Sequence, residues 1–223
     1  MLLGTSRNDR ILAFAGDDLV FGLGGNDCLD GGPGYDQLLG SQGNDNLLGA
    51  NGPDDLVGGP GNDEIHGSDG VDFLEGSLGN DRLAGEADSD DISGGRGNDH
   101  ITGGDGGDYL SGGLGDDRVD GNVGNDDLSG GNGADVLIGG PGADTLTGGI
   151  GADVLSGGAG ADHLTGVGLL TTYFGGSGND VIDAANGHRE RVNCNAGFDR
   201  VFADAGDRVR RCEVVFRLHR TRR

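Results

Sequence analysis

Aspartate recurs at every ninth position from Asp9 to Asp162, eighteen times without a slip, and an aliphatic side chain stands two residues after each, from Ile11 and Val20 to Leu155 and Leu164. Asp180 and Ile182 return to the same register after one failure at Thr171, where Tyr173 keeps the apolar slot. A nine-residue period is neither the rhythm of a helix nor sustained strand alternation. In its fullest form the unit reads Gly-Gly-x-Gly-x-Asp-x-aliphatic-x, as in Gly94-Gly95-Arg96-Gly97-Asn98-Asp99-His100-Ile101-Thr102. Glycine admits left-handed backbone conformations, so the first six residues predict a tight turn with exposed carbonyls and the last three a short strand. Alternation along that strand turns the aliphatic residue to one face and its neighbours to the other. Two units then make an eighteen-residue coil, and stacking pairs each strand with the one eighteen residues later. The predicted fold is all-β: a parallel β-roll (a right-handed β-solenoid) with two nonapeptides per coil, roughly ten coils and a length near ~48 Å at ~4.8 Å per coil.

Composition narrows the function. With 52 Gly in 223 residues, 4% aromatics and no Trp, the chain lacks the bulky side chains that fill a conventional enzyme core. The formal charge of -23 is uneven: residues 187–223 carry ten Arg against five acids, leaving five Arg and 33 acids, a balance of -28, in residues 1–186. So acidic a body repels nucleic acid and anionic lipid, and no apolar run approaches membrane-spanning length. Neither nucleic-acid binding nor membrane insertion is expected; cations are the natural partner. No signal peptide is visible, and because Gly4 to Ile11 already reads as a worn repeat, the true start is expected upstream.

Stacked coils bring Asp99, Asp117, Asp135 and Asp153 into one file and Asp108, Asp126, Asp144 and Asp162 into another. Unit charges ~4.8 Å apart repel by about 3.5 kcal/mol at an effective dielectric of ~20, so the fold is expected to need a cation. Ca²⁺ takes six to eight oxygens in forgiving geometry, which suits carboxylates mixed with turn carbonyls, whereas Mg²⁺ demands a strict octahedron. His and Cys do not occupy ligand-like positions, which argues against zinc. His66, His100 and His163 flank aliphatic slots and are expected on the surface; His188 and His219 lie beyond the repeats, and no catalytic triad assembles.

The nonapeptide resembles the calcium-binding repeat of RTX (repeats-in-toxin) proteins over residues 4–182, most fully from residue 94 to 166. The resemblance implies a parallel β-roll in which Asp side chains and glycine-turn carbonyls of successive coils hold several Ca²⁺ ions. Carried over residue by residue, it makes Asp99, Asp108, Asp117, Asp126, Asp135, Asp144, Asp153 and Asp162 the leading ligands. Asp27, Asp36, Asp45, Asp54, Asp63, Asp72, Asp81, Asp90 and Asp180 follow on the same register. The carbonyl donors are Gly95, Gly97, Gly104, Gly106, Gly113, Gly115, Gly131, Gly133, Gly140, Gly142, Gly149 and Gly151. Weaker sites are expected where Ser41, Ala50, Ser68, Ser77 and Asn122 replace the second glycine, where Asp88 replaces the third, and across residues 166–174.

After Asp183 a second pattern begins, with Asp199-Arg200-Val201, Asp207-Arg208-Val209 and Cys212-Glu213-Val214-Val215. It resembles the C-terminal segment of secreted bacterial calcium-binding repeat proteins and reads as a cap, with Val192, Val201, Val209 and Val214 continuing the core. The division expected is a roll over residues 1–186, a cap over 187–215 and an Arg-rich tail over 216–223. Cys194 is expected to pair with Cys212, worth roughly 3 kcal/mol by loop entropy in an oxidising compartment; two reduced thiols are the alternative. Cys28 is left odd, as a free thiol or an intermolecular bridge.

These features read as a non-enzymatic, extracellular calcium-binding module that folds on Ca²⁺ and serves as a surface or matrix element. The competing reading is the calcium-binding part of a secreted protease, lipase or nuclease whose catalytic domain lies elsewhere. A sugar- or ice-binding face would need a row of Thr or aromatics, and Thr102, Thr147 and Thr165 are too scattered along the chain to predict one.

Overall fold

The computed structural model describes residues 1–218, which form a parallel β-solenoid of twenty-five short strands and no helix. Odd-numbered strands make a thirteen-stranded sheet and even-numbered strands a twelve-stranded one, so the chain winds about twelve times around a narrow core. The register is the expected one: Ile92 lies beside Leu110, and Ile101 beside Val119, each eighteen residues on. The coil count exceeds the ten given by the nonapeptides because strands Arg191–Ala196, Arg200–Asp204, Arg208–Arg210 and Val214–Leu218 extend both sheets past residue 187. The end of the Arg-rich tail, with His219, lies outside the described residues.

Each full strand spans six residues, three more than the spacing predicts, because the first two glycines of the following unit and the residue after them stay in the hydrogen-bonded ladder. Two positions per strand face inward: the aliphatic residue and the glycine two places later. The aliphatic file from Val20 to Leu164, then Tyr173, Ile182, Val192 and Val201, is fully or almost fully buried and constitutes the core. Outward positions are mixed. Thr147 and Thr165, distant in sequence, are neighbours in a file begun by Ser93, Ser111 and Ser129, while Thr102 lies on the other sheet.

Glycine serves two different purposes. The third glycine of the unit takes the conformation that favours glycine: Gly97 has φ +130°, and a Cβ there would fall 1.6 Å from the Gly79 carbonyl oxygen of the preceding coil. The first glycine is the most regular, present at every ninth residue from Gly22 to Gly175, yet it has no left-handed φ. It is required for space. A Cβ on Gly112 would sit 2.5 Å from Asp117 Oδ2 and 2.7 Å from the Gly130 carbonyl oxygen. From Leu23 to Gly158 the second position keeps positive φ whatever occupies it, including Ser41, Ala50, Ser68, Ser77, Glu86 and Asn122 at φ +67° to +89°. These non-glycine residues hold a strained backbone.

One edge of the roll carries a further ladder that the sequence reading did not anticipate. The Asn residues before the Asp accept from the next coil's backbone: Asn62 N–H donates to Asn44 Oδ1 (2.9 Å), Asn80 to Asn62 (2.8 Å) and Asn98 to Asn80 (2.7 Å).

Two substitutions separate the roles of the glycines. In thermal unfolding with Ca²⁺ present, Gly112→Ala is expected to lower stability by about 2–3 kcal/mol, because backbone and a buried carboxylate must move. Ser77→Gly is expected to raise it by about 1 kcal/mol by relieving the left-handed strain. A neutral Gly112→Ala variant would contradict the spatial role of the first glycine.

Candidate metal centres

Each repeat Asp closes the turn and opens the next strand, which places its carboxylate between two coils. From Asp27 to Asp162, and again at Asp180, these side chains are no more than 3% exposed. Oδ1 accepts from the backbone N–H of the Asp one coil earlier, as in Asp81 to Asp99 (2.8 Å) and Asp99 to Asp117 (2.9 Å). The same clasp recurs along both files, so the Asp residues are stitched to one another rather than merely stacked. Part of the anticipated repulsion is thereby offset by charge-assisted hydrogen bonds.

The other oxygen is the anomaly. Oδ2 of all seventeen anticipated Asp ligands, Asp27 through Asp162 plus Asp180, is buried without a hydrogen-bond partner. A buried carboxylate oxygen left unpaired is costly, and the cost recurs at every half-coil. The surroundings supply further oxygen. Asp117 Oδ2 and the Gly130 carbonyl oxygen converge over Gly112, and the same arrangement links Asp126 Oδ2 with the Gly139 carbonyl over Gly121. The carbonyls of Gly97, Gly115, Gly133 and Gly151 accept no turn hydrogen bond among the described residues. Among the described residues no three His, Cys, Asp or Glu side chains converge. The donor set is thus carboxylate and carbonyl oxygen, which fits a hard cation of the Ca²⁺ type.

The structure brings the anticipated Asp residues together in two files and sets the second- and third-position glycines in the turns beside them. The sequence reading missed the first-position carbonyls, such as that of Gly130, although the unbroken run of those glycines was the available signal. It also missed that the files continue into the cap. Asp180 N–H donates to Asp199 Oδ1 (3.0 Å), Asp199 N–H to Glu213 Oε2 (3.0 Å) and Glu190 N–H to Asp207 Oδ1 (3.0 Å). One inserted residue before Glu190 and shorter spacings after it, 17 residues from Glu190 to Asp207 and 14 from Asp199 to Glu213, hide this continuation, but Asp199-Arg200-Val201 and Asp207-Arg208-Val209 repeat the Asp-x-aliphatic signature. Where Ser77 or Asp88 replaces glycine, Asp81 and Asp90 still present a buried, unpaired Oδ2. The cap is closed by a Cys194–Cys212 disulfide with Cα atoms 5.3 Å apart, while Cys28 is free and half-buried. His100 and His163 are exposed, and His66 meets Glu86 at 2.9 Å on the outer face.

Burial pushes these carboxyls from Asp36 to Asp162 and that of Asp180 up, the backbone N–H to Oδ1 pulls them partly back, and at most of them neighbouring carboxylates add to the rise. Asp54, Asp63 and Asp90 reach about 7, and Asp72, Asp99, Asp108, Asp117, Asp135, Asp162 and Asp180 about 6. A carboxyl raised in the folded state contributes stability that is present below its unfolded value near 3.8 and is lost as pH rises through its folded value. In EDTA, therefore, the roll is expected to be more stable at pH 5 than at pH 8, with the loss between about 4 and 7. Protons and cations compete for the same oxygens, so Ca²⁺ affinity is expected to rise with pH over that interval and to fall as the pH is lowered through it. Circular dichroism melts across pH in EDTA check the first statement, and a metal-free stability that rises toward pH 8 would contradict it.

A family model described as RTX calcium-binding nonapeptide repeat (4 copies) matches residues 3–38, 39–74, 66–101, 102–137, 138–167 and 172–188. A search of curated proteins finds no match to the chain. The repeats of this family bind multiple Ca²⁺ ions, and the β-solenoid they build is not itself catalytic. With the nonapeptide model covering most of the sequence and the stacked coils presenting its Asp and glycine positions in register, the chain belongs to the RTX calcium-binding nonapeptide repeat family.

Proposed function

We propose that this protein is an extracellular calcium-responsive structural module whose coils order as Ca²⁺ binds. Seventeen buried, unpaired Asp oxygens at half-coil intervals are the observation that carries this reading. The ligands are Oδ2 of the repeat Asp residues and turn carbonyls from adjacent coils. Calcium neutralises both files and offsets the desolvation of each carboxylate, so binding and folding are one process. Affinity in the range of extracellular modules, on the order of 10⁻⁴ to 10⁻³ M, makes the roll ordered outside a cell and unfolded in a cytosol.

The Cys194–Cys212 disulfide supports an oxidising compartment. No helix among the described residues is long and apolar enough to cross a membrane. We assign residues 1–186 to the calcium-responsive roll and residues 187–215 to a cap, with the Arg-rich residues from 216 onward as a tail. A calcium-stiffened rod of this kind suits a surface or matrix element. The disulfide protects its far end when calcium is scarce.

Far-ultraviolet circular dichroism of EDTA-treated protein, titrated with Ca²⁺ and separately with Mg²⁺, tests the proposal. A cooperative gain of β signal near millimolar Ca²⁺, not reproduced by equal Mg²⁺, is the expected result. A β-rich spectrum already complete in EDTA would show that the solenoid folds without metal.

A further inference from the structure

The Asp file running from Asp9 to Asp153 changes character at the junction between the last nonapeptides and the cap. Thr171 takes the Asp slot there, wholly buried, with its hydroxyl beside that of Tyr173 and without a partner in full hydrogen-bond geometry. Strand register sets Thr172 beside Arg191 and Arg191 beside Arg208, so the next two slots belong to Glu190 and Asp207. Glu190 is 1% exposed; the Asn186 side chain and the Asp207 carboxylate lie beside it, but neither of its carboxylate oxygens meets a partner in full hydrogen-bond geometry. From Asp27 onward every repeat Asp has its Oδ1 clasped by a neighbouring N–H; Glu190 alone among the buried acids of these files has both oxygens unpaired.

The reason lies in the clasp. Asp207 Oδ1 accepts from Glu190 N–H and its Oδ2 from Asp204 N–H (2.6 Å), so the stitch continues on the far side of Glu190. On the near side it is missing: among the described residues no carboxylate accepts from the N–H of Asp153 or Thr171. Nineteen residues rather than eighteen separate Thr171 from Glu190, and the carboxylate is one methylene longer. The surroundings are oxygen-rich. Thr171 Oγ1 and the Tyr173 hydroxyl converge over Gly166, as Asp oxygens do over the first glycine elsewhere, and the Tyr173 hydroxyl also faces the Asp183 carbonyl (3.4 Å). Asn186 fixes the adjoining loop through the carbonyls of Gly166 and Gly168 (3.2 and 3.3 Å). No Arg or His pairs with Glu190 among the described residues. Burying an ionised carboxylate with neither oxygen satisfied is costly, and either a proton or a cation relieves it; in oxygen-rich surroundings at neutral pH and millimolar calcium the cation competes for the place.

We propose that Glu190, with the Thr171 hydroxyl and the neighbouring backbone carbonyls, holds one additional hard divalent cation, Ca²⁺, at the joint between roll and cap. The proposal rests on the reading that the roll itself binds calcium, but Thr171 and Glu190 lie outside the segments matched by the repeat model and do not carry the nonapeptide pattern. A glutamate with both oxygens free is suited to bidentate ligation of Ca²⁺. The ion replaces the clasp that Thr171 cannot make and ties the cap to the last regular coil.

Equilibrium dialysis with radioactive Ca²⁺ on the full chain, at saturating calcium, tests this. Glu190→Gln is expected to bind one ion fewer per chain than the wild type while keeping its calcium-induced β signal. Thr171→Val, a smaller change, is expected to weaken the same site and serves if Glu190→Gln fails to fold. Asp117→Asn is the control for the roll. Loss of ions in Asp117→Asn with unchanged stoichiometry in Glu190→Gln and unweakened binding in Thr171→Val would overturn the cap site and leave the roll standing. Unchanged binding in all three would overturn both.

Discussion

A carboxylate buried between two coils, with one oxygen clasped by a backbone N–H and the other unpaired, is the constraint on which this molecule depends. The clasp joins each coil to the next through the Asp files. The unpaired oxygen makes that joint expensive unless a cation completes it. The first glycine of every unit follows from the same constraint, since any side chain there would occupy the space of the carboxylate five residues later. The aliphatic core, one side chain per half-coil, is too thin to dominate; it sets the register, and the oxygens between coils decide whether the register holds.

Much of this was legible in the chain. The Asp and aliphatic positions at a spacing of nine specify inward side chains, paired strands and two files of carboxylates without further information. What escaped was of two kinds. The unbroken run of first-position glycines looks in sequence like any other turn glycine, and only the position of Asp117 Oδ2 relative to Gly112 shows that space is what it supplies. The continuation of the files through Asp199, Glu190 and Asp207 was hidden by one inserted residue before Glu190 and a shortened spacing after it, because a fixed period stops matching where the chain gains or loses a residue even though the stacked coil absorbs the change in a turn. The Asn ladder was missed for a simpler reason: Asn at the fifth position reads as turn chemistry, and its cross-coil hydrogen bonds appear only when coils are stacked.

The two ends of the charge distribution acquire a physical sense from this arrangement. Acidic residues dominate where cations are to be held, and arginines gather where the nonapeptides stop, around the last strands of both sheets. The Asn ladder and the Cys194–Cys212 disulfide are cross-links made by the chain itself at one edge and one end of the roll. Elsewhere the turns carry strained residues such as Ser77 and Asn122 at positive φ, so the stability of a coil is set jointly by turn strain and by what occupies the space between carboxylates.

Crystals grown with Ca²⁺ and measured for calcium anomalous scattering test the central claim most directly. The account predicts anomalous peaks in two files along the roll, each within ligand distance of an Asp Oδ2 and of glycine-turn carbonyls from adjacent coils. Calcium found only on outward-facing carboxylates such as Asp91 and Asp127, with the inter-coil Oδ2 atoms still unpaired, would contradict it.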